Sequence, residues 1–165
     1  TGGFALHAAH YGAREVIAVD ISDHAAEYVA ANAALNDLQG KVQVVLANVF
    51  DILKEYQQRG EKFDVVILDP PAFCKSKSAL KGAYRGYKEI NLRAMKIINT
   101  GGFLISCSCS HYMYPEIFQK MLLEAAKDAK KALRIIESRV QAKDHPIVSS
   151  YNESLYLKCV IMQVL

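Results

Sequence analysis

The chain has 165 residues, 52% of them hydrophobic and 22% charged, and 20 Lys and Arg against 17 Asp and Glu leave a formal charge of +3. That length and composition suit one domain with a sizeable core and exclude a disordered segment, while so mild a charge is compatible with a polyanionic partner but does not by itself argue for one. No apolar stretch reaches the roughly 18 residues that cross a bilayer and no basic-then-apolar leader opens the chain, so no membrane partner is expected and the cytoplasm is the default setting.

The first residue is Thr1 rather than Met, with Gly2 and Gly3 directly after it, so the chain reads as a fragment of a longer protein. A short helix is expected from about Phe4 to Ala9. In a doubly wound fold such a glycine turn follows the first, central strand, which is therefore expected to be missing or truncated. EVIAVD (15–20) is a short strand ending in an acid; Asp23 to Leu35 has helical periodicity, many alanines, and Ser22 or Asp23 as its cap. VQVVL (42–46) is the next strand, followed by an amphipathic segment to Arg59 and then by FDVVIL (63–68). That last strand must stop at Asp69, because Pro70 and Pro71 each lack a backbone N–H and fix φ.

Residues 74–87 mix Lys, Ser, Gly and Tyr without periodicity and read as a long loop. A helix from about Tyr87 to Asn99 is expected to end at the glycine stop Thr100-Gly101-Gly102. FLISCSC (103–109) is a strand, Pro115 to Lys131 a helix with proline in its first turn, and ALRIIESRV and LYLKCVIMQVL the last two strands. Strands and helices alternate closely, which gives one α/β domain over 1–165, doubly wound around a mostly parallel sheet.

Ligands of such sheets bind at the carboxyl ends of the strands. Thr1, Gly2 and Gly3 before a helix, with Asp20 closing the next strand about 17 residues on, fit nucleotide binding, since glycines admit a backbone approach and the acid takes ribose hydroxyls. A tight turn and a helix cap account for the same residues. Asn48 and Val49 lie at the equivalent edge, where an amide could bond an adenine and an apolar side chain could pack on it; loop polarity explains Asn48 equally well. Asp69 is fixed by two prolines beside Phe73, a pairing able to grip a planar base, or else a turn-forming Asp.

The cysteines, Cys74, Cys107, Cys109 and Cys159, lack zinc-site spacing and disulfide density, so reduced thiols and no metal are expected. Strand alternation places Phe103, Ile105, Cys107 and Cys109 on one face, and of these Cys109 alone reaches the strand's end with Asp69. Its thiol is there for attack or for packing. KSKSALKGAYRGYK (75–88) interleaves five Lys or Arg with tyrosines, suited to phosphate contact and base stacking and equally to a solvated lid. His7, His111 and His145 are scattered, as solvated or core-satisfied histidines are.

The ordered series TGGF, AVDIS, NVF, GEKFDVVILDPPAF, GAYRGYKEIN, SCS and KDHP resembles, over essentially the whole chain, the methyltransferase domain of the ribosomal RNA large subunit methyltransferase I family. The resemblance implies a Rossmann-like class I methyltransferase sheet preceded by PUA and linking domains. It implies S-adenosylmethionine as cofactor, held by Thr1, Gly2, Gly3, Asp20, Ile21, Asn48, Val49 and Asp69, although the family more usually has aspartate at Asn48. Its activity is 5-methylcytosine formation in 23S rRNA through a covalent cysteine adduct, with Cys109 and Asp69 catalytic and Pro70, Phe73, Tyr84, Arg85 and Lys88 toward the RNA. The alignment of SCSHYM with the family's SCS-x-x-M places the nucleophile at Cys109 rather than Cys107. A homodimer is suggested as well. The proton on carbon 5 has four candidate acceptors, Asp69, His111, His145 and water. The rival readings are a guanine methyltransferase needing no thiol, an NAD-dependent dehydrogenase and a non-catalytic RNA-binding module.

Overall fold

A computed structural model describes residues 1–165, the side chain of Asn152 excepted. The chain divides into two units, Thr1–Ile52 and Leu53–Leu165. The first begins with α1 (Gly3–His10), β1 (Val16–Asp20), α2 (Asp23–Leu35) and β2 (Val42–Leu46). β1 and β2 pair in parallel, Val16 opposite Val42 through Asp20 opposite Leu46. Ala9, Val29, Ala33, Leu38 and Val42 form its core, with Leu6, Val16, Ala18 and Val44 packed around them. The small alanines of α1 and α2 let these helices approach the two short strands, burying apolar area in proportion to contact. α3 spans Val49–Arg59.

The second unit holds β3 (Phe63–Leu68), α4 (Leu80–Ile97), β4 (Ile98–Ser108), α5 (Pro115–Ala129), β5 (Leu133–Arg139) and β6 (Lys158–Val164), its strands ordered β3-β4-β6-β5. β3 and β4 are parallel, joined by the crossover helix α4. β6 runs antiparallel to both β4 and β5, because the connection from β5 to β6 has no crossover helix and the chain simply turns back. The fold is thus α/β and Rossmann-like, with mixed pairing at its last strands. None of the helices among the described residues is long and apolar enough to cross a membrane.

Two local expectations are corrected. The stretch expected as loop to Tyr87 is helical from Leu80, and its lysines and glycines conceal a buried stripe, Ala83, Tyr87, Ile90, Asn91 and Ala94, at helical spacing. Gly101 and Gly102 do not stop a helix; α4 ends at Ile97, and both glycines lie inside β4. There the ladder with β3 shifts register between Phe63 and Val65. A Cβ on Gly102 would sit 2.6 Å from the Asp64 carbonyl oxygen, so the glycine permits a close backbone approach.

Candidate active site

In the first unit, Gly2 precedes α1 with φ at +80°, and a Cβ there would meet Val29 Cγ1 at 3.0 Å, so both conformation and space require glycine. Gly3 differs: nothing lies within 4 Å of a Cβ built on it, leaving the start of α1 open to an approaching group. Asn32 Nδ2 donates to the Thr1 carbonyl at 3.0 Å and ties this turn to α2. Asp20 ends β1 exposed, one carboxylate oxygen accepting from the Ser22 amide at 2.9 Å. The cap of α2 belongs to Ser22, whose Oγ accepts from the Ala25 amide at 3.4 Å, so Asp20 is not spent on capping. Ile21 beside it is 70% exposed, an apolar surface next to an acid. Asn48 folds back on α3: its Oδ1 accepts from the Phe50 amide at 2.9 Å and its carbonyl from the Ile52 amide at 3.0 Å, with Val49 as the first helical residue.

In the second unit, Leu68 stands opposite Ser106 in the parallel ladder. Asp69 therefore leaves β3, and Cys109 leaves β4, at the same end of the sheet. Cys107 is 3% exposed, whereas Cys109 is half-buried. Loss of hydration, then the charge of Asp69, push the Cys109 thiol up, while Lys158 pulls it down. Desolvation also raises the Asp69 carboxyl, although its side chain still reaches solvent. Cys107 and Cys159 are directly paired across β4 and β6, and the hydrogen bond between their thiols raises Cys107 and lowers Cys159.

Ser110 binds the turn after Asp69 to the end of β4. Its Oγ accepts from the Cys74 amide at 3.0 Å and lies 3.0 Å from the Tyr87 hydroxyl, and its own amide donates to Ser108 Oγ at 3.3 Å. Phe73 packs on Tyr87 with ring centroids 4.7 Å apart, and Tyr87 meets Phe118 edge-on at 5.9 Å. Phe73 thus joins the segment after the Asp69–Pro70–Pro71 turn to α4.

Tyr84 and Arg85, with Lys77, Ser78, Leu80, Lys81 and Ile117, line an open hollow of about 520 Å³. Lys88 faces elsewhere: its ammonium lies 2.9 Å from Asp128 and 3.4 Å from Glu124, joining α4 to α5. His111 Nδ1 donates to the Glu153 carbonyl at 2.9 Å, and His145 packs edge-on against Tyr156 beside Asp144. Among the described residues no group of three or more His, Cys, Asp or Glu could hold a metal ion. Two residues absent from the sequence reading matter most. Ser110 gave no signal beyond a serine-rich run, but Lys158 did, as a charge inside the apolar strand LYLKCVIMQVL.

The chain belongs to the methyltransferase-domain family, whose model, described as "Methyltransferase domain", matches residues 1–158. It is 46% identical to the Ribosomal RNA large subunit methyltransferase I of Tolumonas auensis across 100% of this chain, and spans 42% of that relative's length. In structure it resembles a protein described as "a putative methyltransferase complexed with SAH", at TM-score 0.85 and 23% identity over 99% of this chain and 43% of that one. A protein of Streptococcus mutans, assigned as a SAM-dependent methyltransferase, gives TM-score 0.87 at 23% identity over 99% of this chain and 42% of the other. The fold is that of the class I methyltransferases.

Proposed function

We propose that this chain carries the catalytic domain of an S-adenosylmethionine-dependent rRNA methyltransferase acting on carbon 5 of a cytosine in 23S rRNA, in the cytoplasm, through a covalent adduct on Cys109. The observation that carries the reading is that Asp69 and Cys109 leave adjacent parallel strands at the same end, Cys109 within the field of Asp69, with Cys107 withdrawn into the core. The name of the Tolumonas auensis relative supports an rRNA substrate.

The residues of the first unit fit the cofactor. Open space at Gly3, an exposed Asp20 with one carboxylate oxygen engaged, and the bare side chain of Ile21 suit a backbone approach, ribose hydroxyls and an adenine face. Thr1 and Gly2 shape the turn, and Asn48 Oδ1 retains a second lone pair for the adenine amino group. S-adenosylmethionine, when bound, supplies a methyl group on a positively charged sulfur.

Carbon 5 of cytosine is a poor nucleophile. Cys109, its proton released to solvent, adds its sulfur electron pair to carbon 6; an S–C6 bond forms and the C5–C6 π pair becomes available at carbon 5, where it would take the methyl group as that group's bond to the sulfonium sulfur breaks and the sulfur keeps the bonding pair. Asp69 hydrogen-bonds the cytosine edge and holds the charge that moves onto the ring. A base then removes the carbon 5 proton, the C5–C6 double bond re-forms, and the S–C6 bond breaks to return the thiolate. Of the four candidate bases, Asp69, His111, His145 and water, we choose Asp69, whose charge acts on Cys109, whereas His111 Nδ1 is engaged by the Glu153 carbonyl and His145 packs on Tyr156. The cytosine must leave its stack to be reached, with Pro70 and Phe73 shaping the turn beneath it and the hollow at Tyr84 and Arg85 receiving neighbouring nucleotides. The family resemblance adds a homodimer, measurable by sedimentation.

The test is incubation of the intact protein with S-adenosylmethionine and rRNA fragments containing 5-fluorocytosine, comparing wild type, Cys107→Ala and Cys109→Ala on a denaturing gel. Fluorine blocks the final proton loss, so the adduct should persist in wild type and Cys107→Ala and vanish in Cys109→Ala. Methyl transfer without adduct in any variant would overturn the cysteine mechanism in favour of guanine methylation.

A further inference from the structure

Lys158 is 5% exposed, an unusual position for an ammonium. It opens β6 opposite Ser108, and its Nζ donates to the Ser110 carbonyl at 2.6 Å and to the Tyr156 carbonyl at 2.8 Å. The two contacts around Cys109 are therefore sequential: Lys158 faces the residue before it in the ladder and grips the carbonyl of the residue after it. An ammonium has three donors and no acceptor, and two are accounted for by these carbonyls. A buried cation with one donor to spare is costly to fold unless an anion shares its site.

We propose that Lys158 is a positioning residue for the nucleophile, holding Cys109 by the Ser110 carbonyl and stabilising its thiolate with the charge of its ammonium. This rests on Cys109 being the nucleophile. It supplies what that reading lacks, because desolvation and Asp69 both oppose ionisation of Cys109 and Lys158 alone among its partners favours it. Burial draws Lys158 itself down to about 8, against the opposing pull of Cys109 and Cys74. The charged groups on the adjoining strand β5, Arg139 and Glu137, act instead on Cys159. The proton of Cys109 leaves to solvent, and the pair then formed is thiolate and ammonium.

The experiment reads the Cys109 thiol directly, by the rate of iodoacetamide alkylation against pH, with peptide mass spectrometry to isolate Cys109 from the other thiols. Intact wild type is compared with Lys158→Gln, which retains amide donors without charge, and Lys158→Arg, which retains charge; circular dichroism establishes that each is folded. An opposite charge at close range is worth about one pH unit or more, so alkylation of Cys109 near neutral pH should fall roughly tenfold in Lys158→Gln and recover in Lys158→Arg. An unchanged midpoint in folded Lys158→Gln overturns the proposal. Should neither variant fold, Asp69→Asn, which removes the carboxylate acting on Cys109 and keeps Lys158, gives a second reading: anionic iodoacetate should gain on neutral iodoacetamide at Cys109 relative to the same chain in urea, and equal ratios overturn the proposal. The fluorocytosine adduct assay is independent of both. Loss of that adduct mechanism with the alkylation shift intact would sink the nucleophile and leave the Lys158 electrostatics standing.

Discussion

The Tyr87 hydroxyl lies 3.0 Å from Ser110 Oγ, linking α4 to the residue that follows the proposed nucleophile. Tyr87 is fully buried and Ser110 likewise, so neither can turn to water if the other is lost. Ser110→Ala would orphan both this hydroxyl and the Cys74 amide. At about 1–3 kcal/mol for each unsatisfied buried group, we expect a loss of about 2–6 kcal/mol in urea denaturation. Tyr87→Phe should cost less, about 1 kcal/mol, since Ser110 keeps the Cys74 amide. Equal and negligible losses would show that the pair does not hold the turn.

The two glycines at the start of α1 should separate folding from cofactor binding. Gly2→Ala forces a side chain into left-handed φ and against Val29, and should destabilise the first unit by about 1–3 kcal/mol. Gly3→Ala meets nothing, and alanine favours helix, so thermal stability should hold or rise slightly. Its methyl group enters the space proposed for the cofactor, and S-adenosylmethionine affinity, read by calorimetry, should fall about tenfold or more. Full affinity in Gly3→Ala would remove this turn from the cofactor site.

These cases show which parts of the molecule were legible in the chain. β1, β2, α2 and β3 are bounded in the structure almost where periodicity and Pro70 place them, because short apolar runs ended by an acid or proline have few alternatives. The start of α4 was hidden because Lys81, Gly82, Arg85 and Gly86 cover the outer face of a helix whose inner face decides its formation. Gly101 and Gly102 misled for the opposite reason: a sequence shows that glycine allows a turn, not that a neighbouring carbonyl needs the room. At the site, Asp69 and Cys109 followed from strand ends, but the bonds of Ser110 and Lys158 join positions 36 and 48 apart, which no local pattern encodes.

Lys158 gives stability a distinctive pH dependence. Its folded value of about 8 lies below the ordinary 10.5, so between these the unfolded chain binds more protons and folding strengthens as pH rises. The gain is about 3 kcal/mol over that window, and below about pH 8 the full burial cost remains. The raised thiols of Cys74, Cys107 and Cys109 act with opposite sign, retaining protons in the folded state and losing stability as pH rises. The useful quantity is therefore the difference between wild type and Lys158→Met in chemical denaturation from pH 7 to 10.5. Wild type should gain on the variant across this range, and parallel curves would mean that Lys158 titrates as if solvated.

Asp69→Asn should move two properties of Cys109 in opposite directions. The carboxylate raises the Cys109 thiol, so its neutralisation should lower the pH at which iodoacetamide reacts and quicken alkylation severalfold near neutrality. The same change removes the group proposed to hold charge on the cytosine and to take its carbon 5 proton, so methyl transfer should fall by about 100-fold or more. Misfolding would also quicken Cys109 and slow the enzyme, but it would expose the buried Cys107 as well, so Cys107 alkylation should stay slow in Asp69→Asn. If alkylation and methyl transfer instead rise together, Asp69 only restrains the nucleophile, and the cytosine contact belongs to another residue.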